Sequence, residues 1–140
     1  MYPEELIAPM RAELSSVGFE EFKSADQVEK HLSPDHKGTT FVVVNSVCGC
    51  AAGAARPGII QALENTKAKP ATLATVFAGN DKSAVDKLRE LCLPYPPSSP
   101  AMALFKDGEL VHFVERHHIE GRSAQMIGDH LVEVFEHFCV

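Results

Sequence analysis

The sequence predicts an α/β fold with a central mixed sheet flanked by helices, and three observations favour this class. Runs of β-branched and aromatic residues alternate with stretches whose apolar residues recur at helical spacing. Near the end of the chain, Asp107-Gly108 separates two apolar runs and predicts a two-residue hairpin, which adds antiparallel strands. Two cysteines directly follow a predicted central strand, at the edge where open α/β sheets place their sites.

Length and composition limit the classes of protein that need to be considered. The 140 residues suffice for one domain with a substantial core, so we expect a single domain over residues 1–140. The apolar content of 45% is that of a globular protein, and the net charge of −6 argues against nucleic acid or an anionic membrane surface as a partner. No apolar run approaches the roughly 20 residues that span a bilayer.

The cysteine content points to a compartment. Met1–Glu5 is acidic and lacks the basic and apolar regions of a signal peptide. We therefore expect a cytoplasmic protein, and in that reducing environment the four cysteines are more often catalytic than structural.

Residues 1–18 predict an amphipathic helix that precedes the rest of the domain as an N-terminal extension. Pro3 is placed to start this helix and Gly18 to end it. A single apolar stripe is expected to pack on the domain, formed by Leu6, Ile7, Met10, Leu14 and Val17.

The next elements lead to the central strand. Phe19–Phe22 alternates apolar and acidic residues and predicts a short strand, and the capping-box spacing of Ser24 and Gln27 predicts a helix that ends near Leu32. After a loop, Phe41–Val44 is typical of a buried strand.

Cys48 and Cys50 lie in the turn between this strand and an Ala-rich helix over Ala51–Glu64. The free N–H groups and the dipole of a helix N-terminus favour a thiolate there, so we expect a lowered cysteine pKa. Gly49 is expected to let the backbone bend sharply between them. A disulfide between residues two apart would be strained and easily reduced.

Two other interpretations of the pair stay open. Cys48 and Cys50 could be small buried apolar residues, since free cysteine is often buried. A metal site needs further ligands, and no second Cys or His pair stands at zinc-like spacing, so we expect no metal.

Within the following helix, Pro57 is expected to cause a kink, because proline removes a hydrogen bond and clashes with the preceding turn. Arg56 has two interpretations. The favoured one is an ordinary surface arginine. Alternatively it faces the thiol site and binds a carboxylate of a small acidic thiol substrate.

The second half of the chain continues the alternation. Ala71–Ala78 predicts a second central strand, and Lys82–Leu91 predicts a helix that leaves Cys92 at its end as a bystander.

The proline-rich stretch Leu93–Pro100 leads into strand Ala101–Phe105, and a proline in such a place can be cis. Leu110–Val114 is the second hairpin strand. Gly121-Arg122-Ser123 opens the last helix, whose buried stripe comprises Ile127, Leu131, Val134, Phe135 and Phe138.

Two features near the end are weaker signals. His117 and His118 are flanked by acidic residues, but neighbours on a strand point to opposite faces and would not chelate one ion. Cys139, next to the C-terminus, is an exposed thiol, a site for intermolecular disulfides, or idle.

From about Phe19 to Phe138 the predicted element order resembles thioredoxin. In that fold the redox cysteines follow the second strand and a cis proline precedes the hairpin, and Cys48 and Pro100 occupy those places. The resemblance implies that Pro100 forms the wall opposite the thiol and that Ser99 offers backbone groups to an extended client segment.

Three motifs resemble the bacilliredoxins over nearly the whole chain: Asn45–Pro57 around Cys-Gly-Cys, Tyr95–Ala101, and His117–Gly121. The resemblance implies removal of bacillithiol from mixed disulfides on cytoplasmic proteins, with Cys48 attacking and bacillithiol or Cys50 resolving the adduct. It implies bacillithiol as co-substrate, no bound cofactor, bacillithiolated proteins as clients, and a separate reductase for regeneration. A general thioredoxin would carry Cys-x-x-Cys, usually after Trp, and this chain has no Trp.

Two alternative functions remain from the sequence. The same cysteines could serve a disulfide isomerase or weak thiol oxidant that uses a strained Cys48–Cys50 disulfide. A non-catalytic binding module of the same fold would instead have an ordinary Cys48 pKa and no thiol adduct.

Overall fold

A computed structural model describes residues 1–140 as a five-stranded sheet between two layers of helices. The elements follow one another in the predicted order: α1 (Glu4–Ser15), β1 (Glu20–Glu21), α2 (Ala25–Leu32), β2 (Thr39–Asn45), a π-helical turn (Ala51–Ala55), α3 (Arg56–Asn65), β3 (Thr72–Phe77), α4 (Lys82–Leu91), β4 (Ala101–Lys106), β5 (Glu109–Val114), a 3₁₀ turn (Arg116–His118) and α5 (Ala124–Phe138).

The sheet is mixed, as predicted. Its strand order is β1-β3-β2-β4-β5, with β1, β3 and β2 parallel and the β4–β5 hairpin antiparallel. The hairpin turns at Asp107 and Gly108, both at positive φ (53° and 80°), as the predicted two-residue turn requires. Every residue of β2 is buried, which places this strand at the centre of the fold.

The alternation of side chains along β2 divides the core into two parts. Phe41 and Val43 point to the layer of α3 and α5, whereas Val42 and Val44 point to the layer of α2 and α4. Because helices cover both faces of the sheet, the sequence of β2 contains consecutive apolar residues and not an alternation of apolar and polar ones.

The N-terminal helix departs from the predicted stripe. Ile7 and Leu14 are buried, but Leu6 is 52% exposed and Val17 also lies at the surface. Arg11 shares the buried face, because it falls between Ile7 and Leu14 at helical spacing.

The burial of Arg11 is explained by its charge partners. Its guanidinium donates to both carboxylate oxygens of Asp81 at 2.9 Å and also contacts Glu4 and Glu21. A hydrophobic pattern does not reveal such an arginine, because its main partner lies 70 residues away in the sequence.

Pro57, expected to kink the helix, lies in the first turn of α3 directly after a π-helical turn. The N–H of Arg56 donates to the carbonyl of Ala51, five residues back, immediately before Pro57 enters the first turn of α3. A wider turn is one way for a helix to accommodate a residue that lacks an N–H group.

None of the helices combines the length and the apolar character needed to cross a membrane, and the longest, α5, has 15 residues.

Candidate active site

The two cysteines of the Cys-Gly-Cys motif lie at the carboxyl end of β2, where the chain turns into the helical segment. The carbonyl of Cys48 accepts bonds from the N–H groups of Ala51 (3.1 Å) and Ala52 (3.3 Å). Cys48 therefore stands at the start of the helix, where unpaired N–H groups favour an anion. Both thiols are partly exposed.

The thiol sulfurs are in direct contact. Cys48 Sγ and Cys50 Sγ are 2.9 Å apart with both cysteines free, so one thiol donates to the other. Gly49 lies between them in helical conformation, without a positive φ, and a Cβ there would meet no atom within 4 Å. The expectation that Gly49 supplies a sharp bend is therefore wrong, because the residue is already part of the helix and has room for a side chain.

The surroundings separate the pKa values of the two thiols. Burial acts against ionisation of Cys48, but hydrogen bonds from the Cys50 thiol, the Ala51 N–H and Ser46 outweigh it, so the pKa of Cys48 is lowered. Burial raises the pKa of Cys50, and the neighbouring Cys48 thiolate raises it further. Cys48 is thus the thiol that ionises first, as its position predicts.

Arg56 is not at the surface, so the favoured interpretation is wrong. Its side chain is 2% exposed, and Nη1 donates to Asn45 Oδ1 (2.9 Å) and to the Ser46 carbonyl (2.8 Å). Its Nε lies 3.1 Å from Glu13 Oε2, an ion pair without hydrogen-bond geometry. Because these groups engage the guanidinium inside the protein, Arg56 fixes the end of β2 instead of presenting a charge to a substrate.

Asn45 connects several parts of this framework. Besides Arg56, its side-chain carbonyl accepts from the Ser46 N–H, and its amide nitrogen donates to the Met10 carbonyl of α1. The side chain of Ser46 accepts from the Cys48 N–H at 3.2 Å. The turn that carries Cys48 is therefore held by side chains from its own strand and by the first helix.

The segment that precedes β4 contains Ser99 and Pro100, the residues expected to form the wall opposite the thiol. The Ser99–Pro100 peptide bond is cis, and so is Leu93–Pro94, which the sequence did not single out. The Ser99 carbonyl accepts from Arg116 Nη1 at 3.1 Å. One of the backbone groups expected to receive an extended client is therefore already engaged.

Arg116 is the functional candidate that sequence analysis missed. It lies just after β5 and donates hydrogen bonds to Ser98 Oγ and to the Ser99 carbonyl. Its guanidinium forms an ion pair with Glu120, and its positive charge interacts electrostatically with both cysteines. The signal was its position beside the His117–Gly121 motif, at the same sheet edge as Cys48.

The adjacent histidines correct another expectation. His117 and His118 lie on the 3₁₀ turn, not on a strand, so their rings are neighbours with centroids 4.0 Å apart. With Glu115 they bring three ligand atoms within 4.8 Å of one another. The geometric reason given against chelation is thus wrong, while the expectation of no metal remains a prediction.

The two other cysteines are separate from the pair. Cys92 is buried among the side chains under α4, and burial raises its pKa to about 12, consistent with a bystander. Cys139 is partly buried against the core of the α5 layer, and burial raises its pKa.

Comparison with known proteins identifies the family. A model of the disulphide isomerase family matches residues 2–139. A bacilliredoxin from Cytophaga hutchinsonii is 62% identical over 136 residues, which cover 97% of this chain and 98% of the relative. The chain belongs to the bacilliredoxin family. A bacilliredoxin from Bacillus licheniformis is 49% identical over 138 residues, which cover 99% of this chain and 95% of that protein.

Solved structures confirm the thioredoxin-like fold that the element order implies for this bacilliredoxin-family chain. A mutant thioredoxin from Halobacterium salinarum gives a TM-score of 0.59 at 14% identity, covering 88% of this chain and 92% of the other. A thioredoxin from Malassezia sympodialis gives the same TM-score and coverage at 13% identity. Family and fold together indicate a thiol–disulfide oxidoreductase.

Proposed function

We propose that this chain removes bacillithiol, or a similar small thiol, from mixed disulfides on cytoplasmic proteins, with Cys48 as the attacking thiolate. One observation carries the proposal: two free thiols 2.9 Å apart at a helix start have pKa values displaced in opposite directions. The thiolate is the nucleophile of thiol–disulfide exchange, so the lowered pKa assigns the attack to Cys48.

The exchange proceeds by displacement at sulfur. Cys48 Sγ attacks the bacillithiol sulfur, a bond forms between these atoms, and the client cysteine leaves as a thiolate that takes up a proton. A second bacillithiol then attacks the Cys48 adduct, which forms bacillithiol disulfide and releases the Cys48 thiolate, or Cys50 attacks it, which forms a Cys48–Cys50 disulfide and releases bacillithiol. That disulfide requires two electrons from a separate reductase, and the chain needs no bound cofactor.

The charges around Cys50 support its role as the resolving thiol. While Cys48 is a thiolate it raises the pKa of Cys50, after burial, which is the largest influence. Formation of the adduct removes that negative charge, while Arg116 continues to lower the pKa of Cys50 and Glu120 continues to raise it. Cys50 therefore becomes easier to ionise at the stage when it is needed.

A second candidate function, exchange of disulfides between protein cysteines, has support of its own. The matching family model is described as a disulphide isomerase, and the contact between the thiols is compatible with a Cys48–Cys50 disulfide in the cycle. The interpretation as a binding module without thiol chemistry has less support, since it requires an ordinary Cys48 pKa.

A single-turnover assay tests the proposal. A bacillithiolated test protein is mixed with wild-type chain, Cys48→Ala or Cys50→Ala, and each species is followed by intact mass spectrometry, with a glutathionylated protein in parallel. We expect a bacillithiol adduct on Cys48 that persists longest in Cys50→Ala and is absent in Cys48→Ala. Loss of deprotection in Cys50→Ala, with retained disulfide shuffling by the wild type, would favour the isomerase. No transfer from either protein would refute the proposed function, and no disulfide shuffling by the wild type in addition would refute the isomerase.

A further inference from the structure

A cavity of about 210 Å³ lies between β5, the 3₁₀ turn and α5. We call it the His112 pocket. Its polar lining consists of Arg122 and three histidines, His112, His118 and His130, and none of its ten lining residues is acidic. Such a lining is unusual in a chain with a net charge of −6.

Two polar groups of the His112 pocket, the Arg122 guanidinium and His118 Nε2, form no hydrogen bond within the protein and can donate to a ligand. His118 Nδ1 accepts from the Glu115 N–H at 3.2 Å, which leaves the proton of the neutral ring on Nε2. His112 and His130 share a hydrogen bond between their Nε2 atoms at 3.0 Å. The guanidiniums of Arg122 and Arg89 form no salt bridge, whereas Arg11, Arg56 and Arg116 each pair with carboxylates.

The pocket also has an apolar side. Met102, Val114 and Leu131 contribute to its lining and are buried in the adjoining core. A ligand with a carbon frame and a carboxylate fits this combination, because apolar walls pack the frame while a few placed polar groups fix its orientation. The volume suits a small group, well below the size of a folded protein segment.

Several residues that line the His112 pocket lie close in sequence to residues of the thiol site. Met102 lies two residues after Pro100, and His118 lies two residues after Arg116, whose charge acts on both cysteines. Ile127, another lining residue, packs against Gly58 in the helix that follows the cysteines. A ligand bound in the pocket thus lies on the same edge of the fold as Cys48.

We propose that the His112 pocket binds the carboxylate-bearing end of a small anionic thiol, with Arg122 as the principal charge partner, while the sulfur end of that thiol reaches Cys48. The proposal rests on the proposed function, since it names the part of the protein that distinguishes small thiols. A cation in the pocket favours this task, because the net charge of the chain is negative.

Transfer kinetics test the charge partner. The same test protein is prepared as its mixed disulfide with bacillithiol, whose malate group carries carboxylates, and with uncharged 2-mercaptoethanol. We expect Arg122→Gln to slow transfer of bacillithiol about fivefold, a modest factor because Arg122 is exposed. Transfer of 2-mercaptoethanol should not change, and Arg122→Lys should recover part of the loss.

Lys69→Gln is the matched control, since it removes one exposed positive charge outside the pocket. It should leave both transfers unchanged. Equal slowing of both mixed disulfides by Arg122→Gln, or equal slowing by Lys69→Gln, would overturn the proposal.

Direct binding separates this proposal from the proposed function. S-methyl bacillithiol cannot react with Cys48, and we expect it to shift the imidazole NMR signals of His112 and His130 in wild type and less in Arg122→Gln. Those shifts without any transfer would refute the proposed function but support the pocket. Transfer without those shifts, or shifts caused only by an acidic peptide, would overturn the pocket and leave the proposed function intact.

Discussion

Arg116 donates from Nη1 to the carbonyl of Ser99, the residue before the cis proline, at 3.1 Å. The positive charge of the same side chain interacts electrostatically with both cysteines. The same guanidinium donates from Nε to Glu120 at 2.6 Å. A client that pairs with the Ser99 carbonyl must therefore share that oxygen with Arg116 or displace it. We expect this side chain to couple client binding to the charge near Cys50.

Removing the charge of Arg116 should raise the pKa of Cys50. We expect Arg116→Gln to slow the resolving step at neutral pH about two- to threefold, since an exposed charge is screened by solvent. The decay of the Cys48 adduct, followed by mass spectrometry from pH 6 to 9, measures this step. Arg116→Lys keeps the charge and is the control. An unchanged pH profile in Arg116→Gln would contradict the coupling.

The two thiols should shift each other's pKa in opposite directions. In Cys50→Ala the Cys48 thiolate loses a hydrogen-bond donor, so its pKa should rise. In Cys48→Ala the remaining thiol loses a negative neighbour, so the pKa of Cys50 should fall. The pH dependence of iodoacetamide alkylation reports both values. Shifts in the same direction in both variants would show that the thiols do not interact as described.

Cys92, which is buried, and Cys48, which is partly exposed, should differ in their rates of alkylation. With a pKa of about 12 and almost no exposure, Cys92 should resist alkylation at pH 8 in the native protein, while Cys48 reacts first. Peptide mapping after a short iodoacetamide pulse gives the order of modification. Denaturant should abolish the difference, and early labelling of Cys92 in native protein would contradict its burial.

The framework under the cysteines depends on Arg56. Arg56→Met removes the partner of the Ser46 carbonyl and one partner of Asn45, and we expect a loss of about 2–3 kcal/mol in the free energy of unfolding. Glu13→Gln, at the half-exposed end of the ion pair, should cost less than about 1 kcal/mol. Urea denaturation compares the two, and equal losses would place the stabilising contact at Glu13 instead of the end of β2.

Two glycines of the same helical segment should respond differently to alanine. A Cβ at Gly58 would lie 2.7 Å from Ile127 Cβ and 2.9 Å from the Ala124 carbonyl, so Gly58→Ala should destabilise the fold by about 1–3 kcal/mol. Gly49 faces open space, and Gly49→Ala should be neutral or stabilise by up to about 1 kcal/mol. Thermal unfolding of both variants checks this, and a large loss at Gly49 would refute its helical conformation.

The order of elements, the mixed sheet and the place of the cysteine pair followed from the sequence, because hydrophobic periodicity and turn residues are local signals. The environments of the arginines did not. Arg11, Arg56 and Arg116 are alike in the sequence, yet two of them are buried, each by partners from distant elements such as Asp81 or Glu13. Likewise, the neighbouring rings of His117 and His118 depend on a 3₁₀ turn that no short pattern indicated.

The hydrogen bond from Asn45 to the Met10 carbonyl and the ion pair of Arg56 with Glu13 tie the first helix to the floor of the thiol site. The segment that precedes the recognisable thioredoxin-like elements is therefore not a detachable appendage. Shortening the chain to those elements would remove contacts of Asn45 and Arg56, so we expect the smallest unit able to carry this chemistry to include α1. The first helix is thus part of the structural framework of the thiol site.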